Sequence, residues 1–244
     1  MKKGKNKEFW KYRPVRQVLN NLDKNALIMD VGSGIPDTCF DLENRFKFHN
    51  FICLDKAQSE IELIDYWIYY YVYDEQKHIA RQSKNFSDIR NAFFRERNSE
   101  IPVPFETRYD IRLNYDISEN EISGLPKPDV LLFLNVLHFL PVDVGLNLLK
   151  EFGDLVNPQG VVVLWVNHYQ NYLMKNPDHT VEVGFRSYQD KKFKDTCYLY
   201  SEKDFMNAVN VFKDLNYKTL QEPTKYMNDD NKTIQSMIYI CQAS

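Results

Sequence analysis

The sequence predicts an α/β fold, a doubly wound and mostly parallel sheet with helices on both faces. Two observations support this prediction. Runs such as ALIMDV (26–31), DVLLFLNVL (129–137) and VVVLWVNH (161–168) are apolar almost throughout, as expected for strands that are buried on both faces of a sheet. Segments with apolar residues at helical spacing separate these runs, and this alternation indicates βαβ units in an open sheet.

The first half of the chain follows this alternation in order. After the run at 26–31, the segment DTCFDLENRF (37–46) has helical spacing, and FHNFICLD (48–55) is a second apolar run. The segment YDIRLNYD (109–116) alternates in the way that is typical of a strand. We therefore expect three strands here, with a helix between the first two.

The second half predicts a helix, a strand, another helix and a closing hairpin. The segment VDVGLNLLKEFGDLV (142–156) repeats apolar residues at helical intervals, and NPQG leads from it into the strand at 161–168. A second helix is expected at SEKDFMNAVNVFKDL (201–215). The runs YKTLQEPTKYM (217–227) and SMIYICQA (236–243) flank the turn-rich NDDNK, so we expect a hairpin at the sheet edge.

Composition limits the possible classes of function. A chain of 244 residues buries roughly 70–75% of its unfolded surface, and its formal net charge of −3 gives no general attraction to nucleic acid. No apolar run is long enough to span a bilayer, and the charged start MKKGKNKEFW has no apolar core behind it, so we expect no membrane segment and a cytoplasmic protein. The four scattered cysteines form no CxxC pair, which argues against a zinc site or a disulfide framework and predicts four buried thiols.

The stretch IMDVGSGIP (28–36) holds two of the eight glycines of the chain, Gly32 and Gly34. In an open α/β sheet, ligands bind beyond the carboxyl ends of the strands, where this stretch falls. A dinucleotide-binding G-x-G-x-x-G loop would need a third glycine where the sequence has Asp37. Asp30 would repel a pyrophosphate but suits a ligand with a free amino group and a positive sulfur, such as S-adenosylmethionine. A tight turn without a ligand is the alternative interpretation.

With these residues the sequence resembles the class I S-adenosylmethionine-dependent methyltransferases, a family with a Rossmann-like fold. MDVGSG fits the first motif of that family, and FICLDKA supplies the acid that closes the second strand and holds the ribose hydroxyls. NYDIS supplies the acid that ends the third strand and reads the adenine amine, and LFLNVLHFLP is similar to the family's segment at the fourth strand. The resemblance implies a seven-stranded sheet, S-adenosyl-L-methionine as cofactor, and the cofactor-binding residues Asp30, Gly32, Ser33, Gly34, Asp55, Lys56, Asp116, Ile117 and Asn135.

Two features depart from the family pattern. Pro36 stands where many relatives have glycine, and 60 residues separate Asp55 from Asp116, where a single crossover helix needs far fewer. We expect a helical insertion at 58–107, between strands two and three, within a single domain of residues 1–244. The aromatic residues of its first helix either pack on the sheet or belong to a lid over the substrate, and they are Tyr66, Trp67, Tyr69, Tyr70 and Tyr73.

Basic residues raise a further question in the insertion and at the N-terminus. Between positions 77 and 97 there are six Lys or Arg against two acids, which favours either a solvated helix face or a site for an anionic substrate or RNA. The six basic residues are Lys77, Arg81, Lys84, Arg90, Arg95 and Arg97. Residues 1–25 are expected to form a basic tail and a cover helix, with Pro14 suited to its first turn. We favour a helix that partly covers the cofactor site, with Phe9, Trp10 and Tyr12 in contact, over one that only caps the sheet edge.

We predict a methyltransferase that acts on a small-molecule acceptor. The sequence has no NPPY-type motif of amino-methylating nucleic-acid enzymes of this class, and no ligand cluster indicates a metal. His138, after the fourth strand, is the candidate general base because an imidazole titrates near neutral pH, and His168, after the fifth, is a second candidate.

Two other functions fit the same residues. One is a methyltransferase-fold protein that binds S-adenosylmethionine as a regulatory, RNA-binding or protein-binding module. The other is a nicotinamide-dependent dehydrogenase, which the missing third glycine and Asp30 oppose. The sequence predicts neither the acceptor atom nor the oligomeric state, because one fold hosts many chemistries.

Overall fold

The structure is a computed structural model, and it describes residues 13–70, 88–91, 107–167, 180–184, 187–191, 196–227 and 234–244. The chain divides into two compact units, Met1–Asp116 and Ile117–Ser244. The single domain of residues 1–244 stays a prediction. The N-terminal tail with its aromatic residues, most of the insertion, the aromatic side chains between Tyr66 and Tyr73, and His168 lie outside the described residues.

The described helices match the expected ones closely. They are α1 (Arg13–Asn21), α2 (Asp37–Phe46), α3 (Glu60–Tyr70), α4 (Val142–Leu155) and α5 (Glu202–Asp214). Residues 88–91 are also helical. The predictions at 37–46, 142–156 and 201–215 are therefore confirmed to within one residue at each end.

Ten strands are described, and seven of them form one sheet. The strands are β1 (Leu27–Val31), β2 (Asn50–Leu54), β3 (Arg108–Arg112), β4 (Val130–Leu134), β5 (Val161–Asn167), β6 (Thr180–Gly184), β7 (Ser187–Asp190), β8 (Thr196–Tyr198), β9 (Lys218–Met227) and β10 (Ile234–Gln242). The order in the large sheet is β3-β2-β1-β4-β5-β10-β9. Its pairs β1–β2, β2–β3 and β4–β5 are parallel, whereas β10 is antiparallel to β5 and β9. The seven-stranded, mostly parallel sheet and its closing hairpin are confirmed.

A second, three-stranded antiparallel sheet is a feature that the sequence analysis did not predict. It has the order β6-β7-β8 and lies in the chain between the parallel strands and α5. Its strands are short, with three to five residues each. Runs of this length carry too few residues for a period-two pattern to be recognised.

In the first unit, helix α2 leads from the first strand to the second. The acidic side chain of Asp37 in its first turn interacts favourably with the positive end of the helix dipole and so stabilises the start of the helix. At its other end Lys47 has a left-handed φ of 62° and donates its N–H to the Glu43 carbonyl, which ends the helix. Apolar residues of β1 and β2 are buried almost throughout, so the strand ends are held firmly in the core.

In the second unit, helix α5 begins with a capping box. The Ser201 hydroxyl accepts from the Asp204 N–H, and the Asp204 carboxylate accepts from the Ser201 N–H at 2.7 Å. The Tyr217 hydroxyl donates to the Gly153 carbonyl of α4 at 2.6 Å. A Cβ on Gly153 would lie 2.6 Å from the Leu215 side chain, so any larger residue there would push that side chain aside.

Two predicted strands end earlier than expected, for the same reason. The strand predicted at 109–116 ends at Arg112, and the run predicted at 129–137 ends as a strand at Leu134 before a 3-10 turn at Leu137–Phe139. Asn114 has a φ of 53° and Asn135 a φ of 59°, both in the left-handed region that no extended strand adopts. Asn tolerates this conformation better than most residues, and hydrophobic pattern does not record it.

Candidate cofactor site

The glycine loop, residues 32–34, follows β1 and turns at the carboxyl end of β2. Gly32 has a φ of 65° and Gly34 a φ of 56°, which glycine adopts without strain. The N–H groups of Gly32 and Ser33 donate to the Leu54 carbonyl at 2.8 and 3.0 Å. A Cβ built on Gly34 would meet no atom within 4 Å, so the loop faces open space there.

The Asp55 carboxylate closes this loop. Its Oδ2 accepts from the Gly34 N–H at 2.8 Å, and its Oδ1 accepts from the Ala57 N–H at 2.9 Å. Burial raises the pKa of Asp55, while the Ala57 and Gly34 donors and the neighbouring exposed Lys56 act in the opposite direction. Each carboxylate oxygen has a second lone-pair direction, so Asp55 can accept further hydrogen bonds from a ligand.

The segment after β3 is tied to Asp55 through the backbone. The Asp55 N–H donates to the Arg112 carbonyl at 3.1 Å, and the Asp55 carbonyl accepts from the Tyr115 N–H at 2.9 Å. Asp116 follows Tyr115 and is half-buried, and Ile117 after it is buried. Asp116 was predicted to end the third strand, but β3 ends at Arg112. Asp116 instead follows Tyr115, whose N–H is bonded to Asp55.

Asp30 is a buried carboxyl group with one weak partner. It is 3% exposed, and among the described residues its carboxylate accepts only from the Cys39 thiol, at 3.8 Å. Burial, with the nearby Asp37 and Asp55, raises the pKa of Asp30 from its ordinary value near 4 to about 8, and the Cys39 contact offsets this only in part. The predicted carboxylate is therefore protonated in the ligand-free protein near neutral pH.

The cysteines are buried, as predicted. Cys39, Cys53, Cys197 and Cys241 are all free thiols. Cys39 on α2 and Cys53 on β2 lie with their sulfur atoms 3.6 Å apart. Burial, together with Cys53, raises the pKa of Cys39, so this thiol is a neutral neighbour of Asp30.

Asn135 lies in the second unit, directly after β4. Its N–H donates to the Trp165 carbonyl at 2.8 Å, which holds the residue in its left-handed conformation. The side-chain Oδ1 is buried and accepts no hydrogen bond from any residue that the structure describes. Leaving such an acceptor unsatisfied costs about 1–3 kcal/mol, so Asn135 is a candidate to receive a donor from a ligand.

His138 follows in the 3-10 turn, and its environment corrects one expectation. Burial lowers the pKa of His138 from its ordinary value near 6.5 to about 4, whereas the sequence analysis assumed titration near neutral pH. The imidazole is therefore neutral at pH 7, but it is a weak base. Its ring contacts that of Phe139, at 4.1 Å between centroids, and Phe139 is 40% exposed.

Arg90 has a different role from the one that its basic neighbourhood suggested. Its guanidinium donates to both carboxylate oxygens of Glu43, at 2.9 and 2.6 Å, instead of remaining available to an anionic substrate. The Thr107 hydroxyl at 2.9 Å and the Tyr109 hydroxyl at 2.8 Å also donate to Glu43. We call these four residues the Glu43 cluster. The other five basic residues of the stretch lie outside the described residues.

The described residues contain neither a metal site nor a membrane span. No group of three or more His, Cys, Asp or Glu among them is arranged to hold a metal ion. Within the same residues, no helix is long and apolar enough to cross a membrane.

Comparison with known proteins gives structural matches only. No protein-family model matches the sequence, and no curated protein is similar to it. An S-adenosylmethionine-dependent methyltransferase from Clostridium acetobutylicum matches with a TM-score of 0.57 at 15% identity, over 98% of this chain and 92% of that one. One from Methanosarcina mazei matches with a TM-score of 0.55 at 13% identity, over 93% and 96%. The chain has the class I methyltransferase fold. A third match is magnesium protoporphyrin IX methyltransferase from Synechocystis with bound SAH, with a TM-score of 0.51 at 12% identity, over 90% and 75%.

The methyltransferase fold brings several predicted residues together in the first unit. Asp55 is bonded to Gly34, and its charge acts on Asp30. Asn135 and His138 belong to the second unit, where both lie just after β4.

Glu43 is a buried charged residue that was not among those predicted from the sequence. The buried positions Cys39, Leu42, Glu43 and Phe46 of α2 recur at helical spacing, so a carboxylate stands on the apolar face of the helix. That position was the available signal that Glu43 has a buried partner.

Proposed function

We propose that the protein is an S-adenosylmethionine-dependent methyltransferase that acts on a small-molecule acceptor. The observation that carries the proposal is the glycine loop closed by Asp55, which keeps lone pairs for ligand donors at the carboxyl end of β2. The shared fold supports it, and one protein of similar structure was solved with SAH bound.

The residues of the first unit fit the chemistry of this cofactor. Its ribose offers two hydroxyl donors, which suit the remaining lone pairs of Asp55. Its amino group is cationic, which suits Asp30, a buried carboxyl group without a counter-charge among the described residues. A dinucleotide fits this site less well, because its pyrophosphate would bring negative charge near Asp55 and supplies no counter-charge for an ionised Asp30.

S-adenosylmethionine supplies an electrophilic methyl group on a positive sulfur. What the chain contributes is binding and orientation, which account for most of the barrier reduction in such a displacement. Asp55 and the glycine loop hold the ligand through a carboxylate and backbone groups whose positions are fixed by hydrogen bonds. In the second unit, the Asn135 Oδ1 is available to accept a hydrogen bond from the cofactor or from the methyl acceptor.

For a methyl acceptor that loses a proton during the reaction, we propose that His138 takes that proton. With a pKa of about 4 the imidazole is unprotonated at pH 7, so it is ready to accept, although burial makes it a weak base. A rate that depends on this group should therefore stay constant between about pH 6 and 8. Turnover of His138→Gln, measured once an acceptor is known, tests the role.

A small-molecule acceptor is favoured over RNA on two grounds. The net charge is −3, and Arg90, one of the six basic residues of the insertion, is engaged by Glu43. Phe139 gives an exposed apolar surface beside His138, which suits an acceptor with an apolar part.

The test is transfer of an isotopically labelled methyl group from S-adenosylmethionine into an extract separated into small molecules, RNA and protein. The proposal predicts label in the small-molecule fraction. Asp55→Ala should weaken cofactor binding by roughly tenfold or more, because removing a charge-assisted acceptor costs about 1.5–3 kcal/mol. Label in RNA or protein alone would overturn the acceptor class, and binding without any transfer would favour the regulatory module.

A pair of glycine variants separates ligand contact from loss of folding. Gly34→Ala adds a methyl group that meets nothing in the ligand-free protein and costs only left-handed strain, about 1–2 kcal/mol. A cofactor lying on the loop would be displaced by that methyl group, so affinity should fall much more than stability. Gly124→Ala, which also meets no atom within 4 Å, is the control and should change neither. Unchanged affinity in Gly34→Ala would place the ligand elsewhere.

A further inference from the structure

The two most buried carboxyl groups described in the first unit, Glu43 and Asp30, differ in their partners. Glu43 is 2% exposed and has a bidentate Arg90 and two hydroxyl donors. Asp30 is 3% exposed and has one thiol, which is a weak donor. An ionised carboxylate without charge or strong hydrogen bonds is costly inside a protein, so Asp30 is not built to be ionised by itself.

The groups around Asp30 make ionisation harder still. From α2 it faces Asp37, whose charge repels a carboxylate, and the neutral thiol of Cys39. From the end of β2 it faces the charge of Asp55, and Cys53 lies behind Cys39. Among the described residues, no cation is one of the groups that act on Asp30.

We propose that the Asp30 carboxyl group keeps its proton in the ligand-free protein and releases it to solvent when the amino group of the cofactor binds. The proposal rests on the proposed function and gives Asp30 a specific part in it. The proton leaves the carboxyl oxygen for the buffer, and the ammonium group of the ligand becomes the counter-charge that the described residues do not supply. An amino-acid part with a positive charge is thereby required for full affinity.

Proton release makes binding depend on pH. The folded, ligand-free protein holds a proton on Asp30 up to about pH 8, and the complex does not. Below that pH, each unit of increase should raise affinity by up to roughly tenfold. The amino group of the ligand begins to lose its own proton near pH 8, so the measurement belongs at or below about pH 7.

The experiment is calorimetric titration of the full chain with S-adenosylhomocysteine at about pH 7, in several buffers with different enthalpies of ionisation. The dependence of the binding heat on buffer enthalpy gives the number of protons released. We expect about one proton for the unmodified chain. Asp30→Asn should bind more weakly with no proton release, and the surface variant Asp110→Asn should behave like the unmodified chain, since Asp110 is half-exposed and paired with Arg112.

A second ligand makes the test independent of the variants. Methylthioadenosine has the same ribose and adenine but no amino group, so its binding should release no proton. Binding of S-adenosylhomocysteine with no dependence on buffer overturns this proposal and leaves the proposed function intact. Equal proton release in Asp30→Asn assigns the proton to another group and also overturns it. If neither nucleoside binds in any buffer, the proposed function fails, and this proposal fails with it.

Discussion

Glu43 and Asp30, the two most buried carboxyl groups described in the first unit, show how a protein can satisfy a buried charge or leave it unsatisfied. Glu43, on the inner face of α2, receives four hydrogen bonds from Arg90, Thr107 and Tyr109. Asp30, at the end of β1, receives one from a thiol. The first group is complete without a ligand and links the helical residues 88–91 and β3 to α2. The second is incomplete, which is the state expected of a group that waits for a charged ligand.

The largest expected effect is on the complete group. Glu43→Ala would leave the part-buried Arg90 guanidinium without its carboxylate partner, and breaking a buried ion pair in this way costs up to about 3–5 kcal/mol. Urea unfolding measures the loss. A loss below about 1 kcal/mol would mean that the Glu43 cluster contributes little, and the contrast with Asp30 would disappear.

The second prediction concerns the pH dependence of stability at the incomplete group. In the unfolded chain Asp30 ionises near pH 4, and in the folded chain its pKa is about 8. Between these values the folded chain holds a proton that the unfolded chain has released, so stability falls as pH rises, by up to about 1.4 kcal/mol per pH unit. Below about pH 4 and above about pH 8 this contribution is constant.

Ligand-free Asp30→Asn should lack this part of the pH dependence. The quantity to compare is the difference in unfolding free energy between the unmodified chain and the variant from about pH 5 to 8, because other titrating groups cancel in it. A difference that does not change with pH would show that Asp30 is ionised in the folded chain.

The smallest effect sharpens the description of the complete group. Tyr109→Phe removes one of four hydrogen bonds to Glu43 and keeps the ring that stacks on Phe51 at 4.9 Å. Because Arg90 and Thr107 remain, we expect a loss of about 1 kcal/mol in unfolding free energy. A loss as large as that of Glu43→Ala would mean that the hydroxyl of Tyr109, rather than the ion pair, holds the cluster.

Much of the fold could be predicted from sequence because it rests on local pattern. Strands β1 and β5 and helix α2 have periodicities set by the faces that they bury, and these appear within a few consecutive residues. Backbone conformation was less accessible. Left-handed φ values at Asn114 and Asn135 end the two strands, and the pattern of neighbouring apolar residues does not indicate such values.

The candidate site was predicted in its members but not in its interactions. The sequence selects Asp30, Gly34 and Asp55 by order and spacing, yet the bond from Gly34 to Asp55 joins residues 21 positions apart. The partner of Arg90 lies 47 positions away, and pairing over such distances depends on how the strands are arranged. The pKa values of Asp30 and His138 follow from burial, which is a property of the folded chain.

The most direct test of the account is a calorimetric titration of the unmodified full chain with S-adenosylmethionine and, separately, with NAD under the same conditions. The account predicts saturable binding of S-adenosylmethionine and no binding of NAD, because Asp30 can ionise beside the ammonium group of the first ligand, whereas NAD brings a pyrophosphate and no such ammonium group. Binding of NAD alone would contradict it and favour a dehydrogenase.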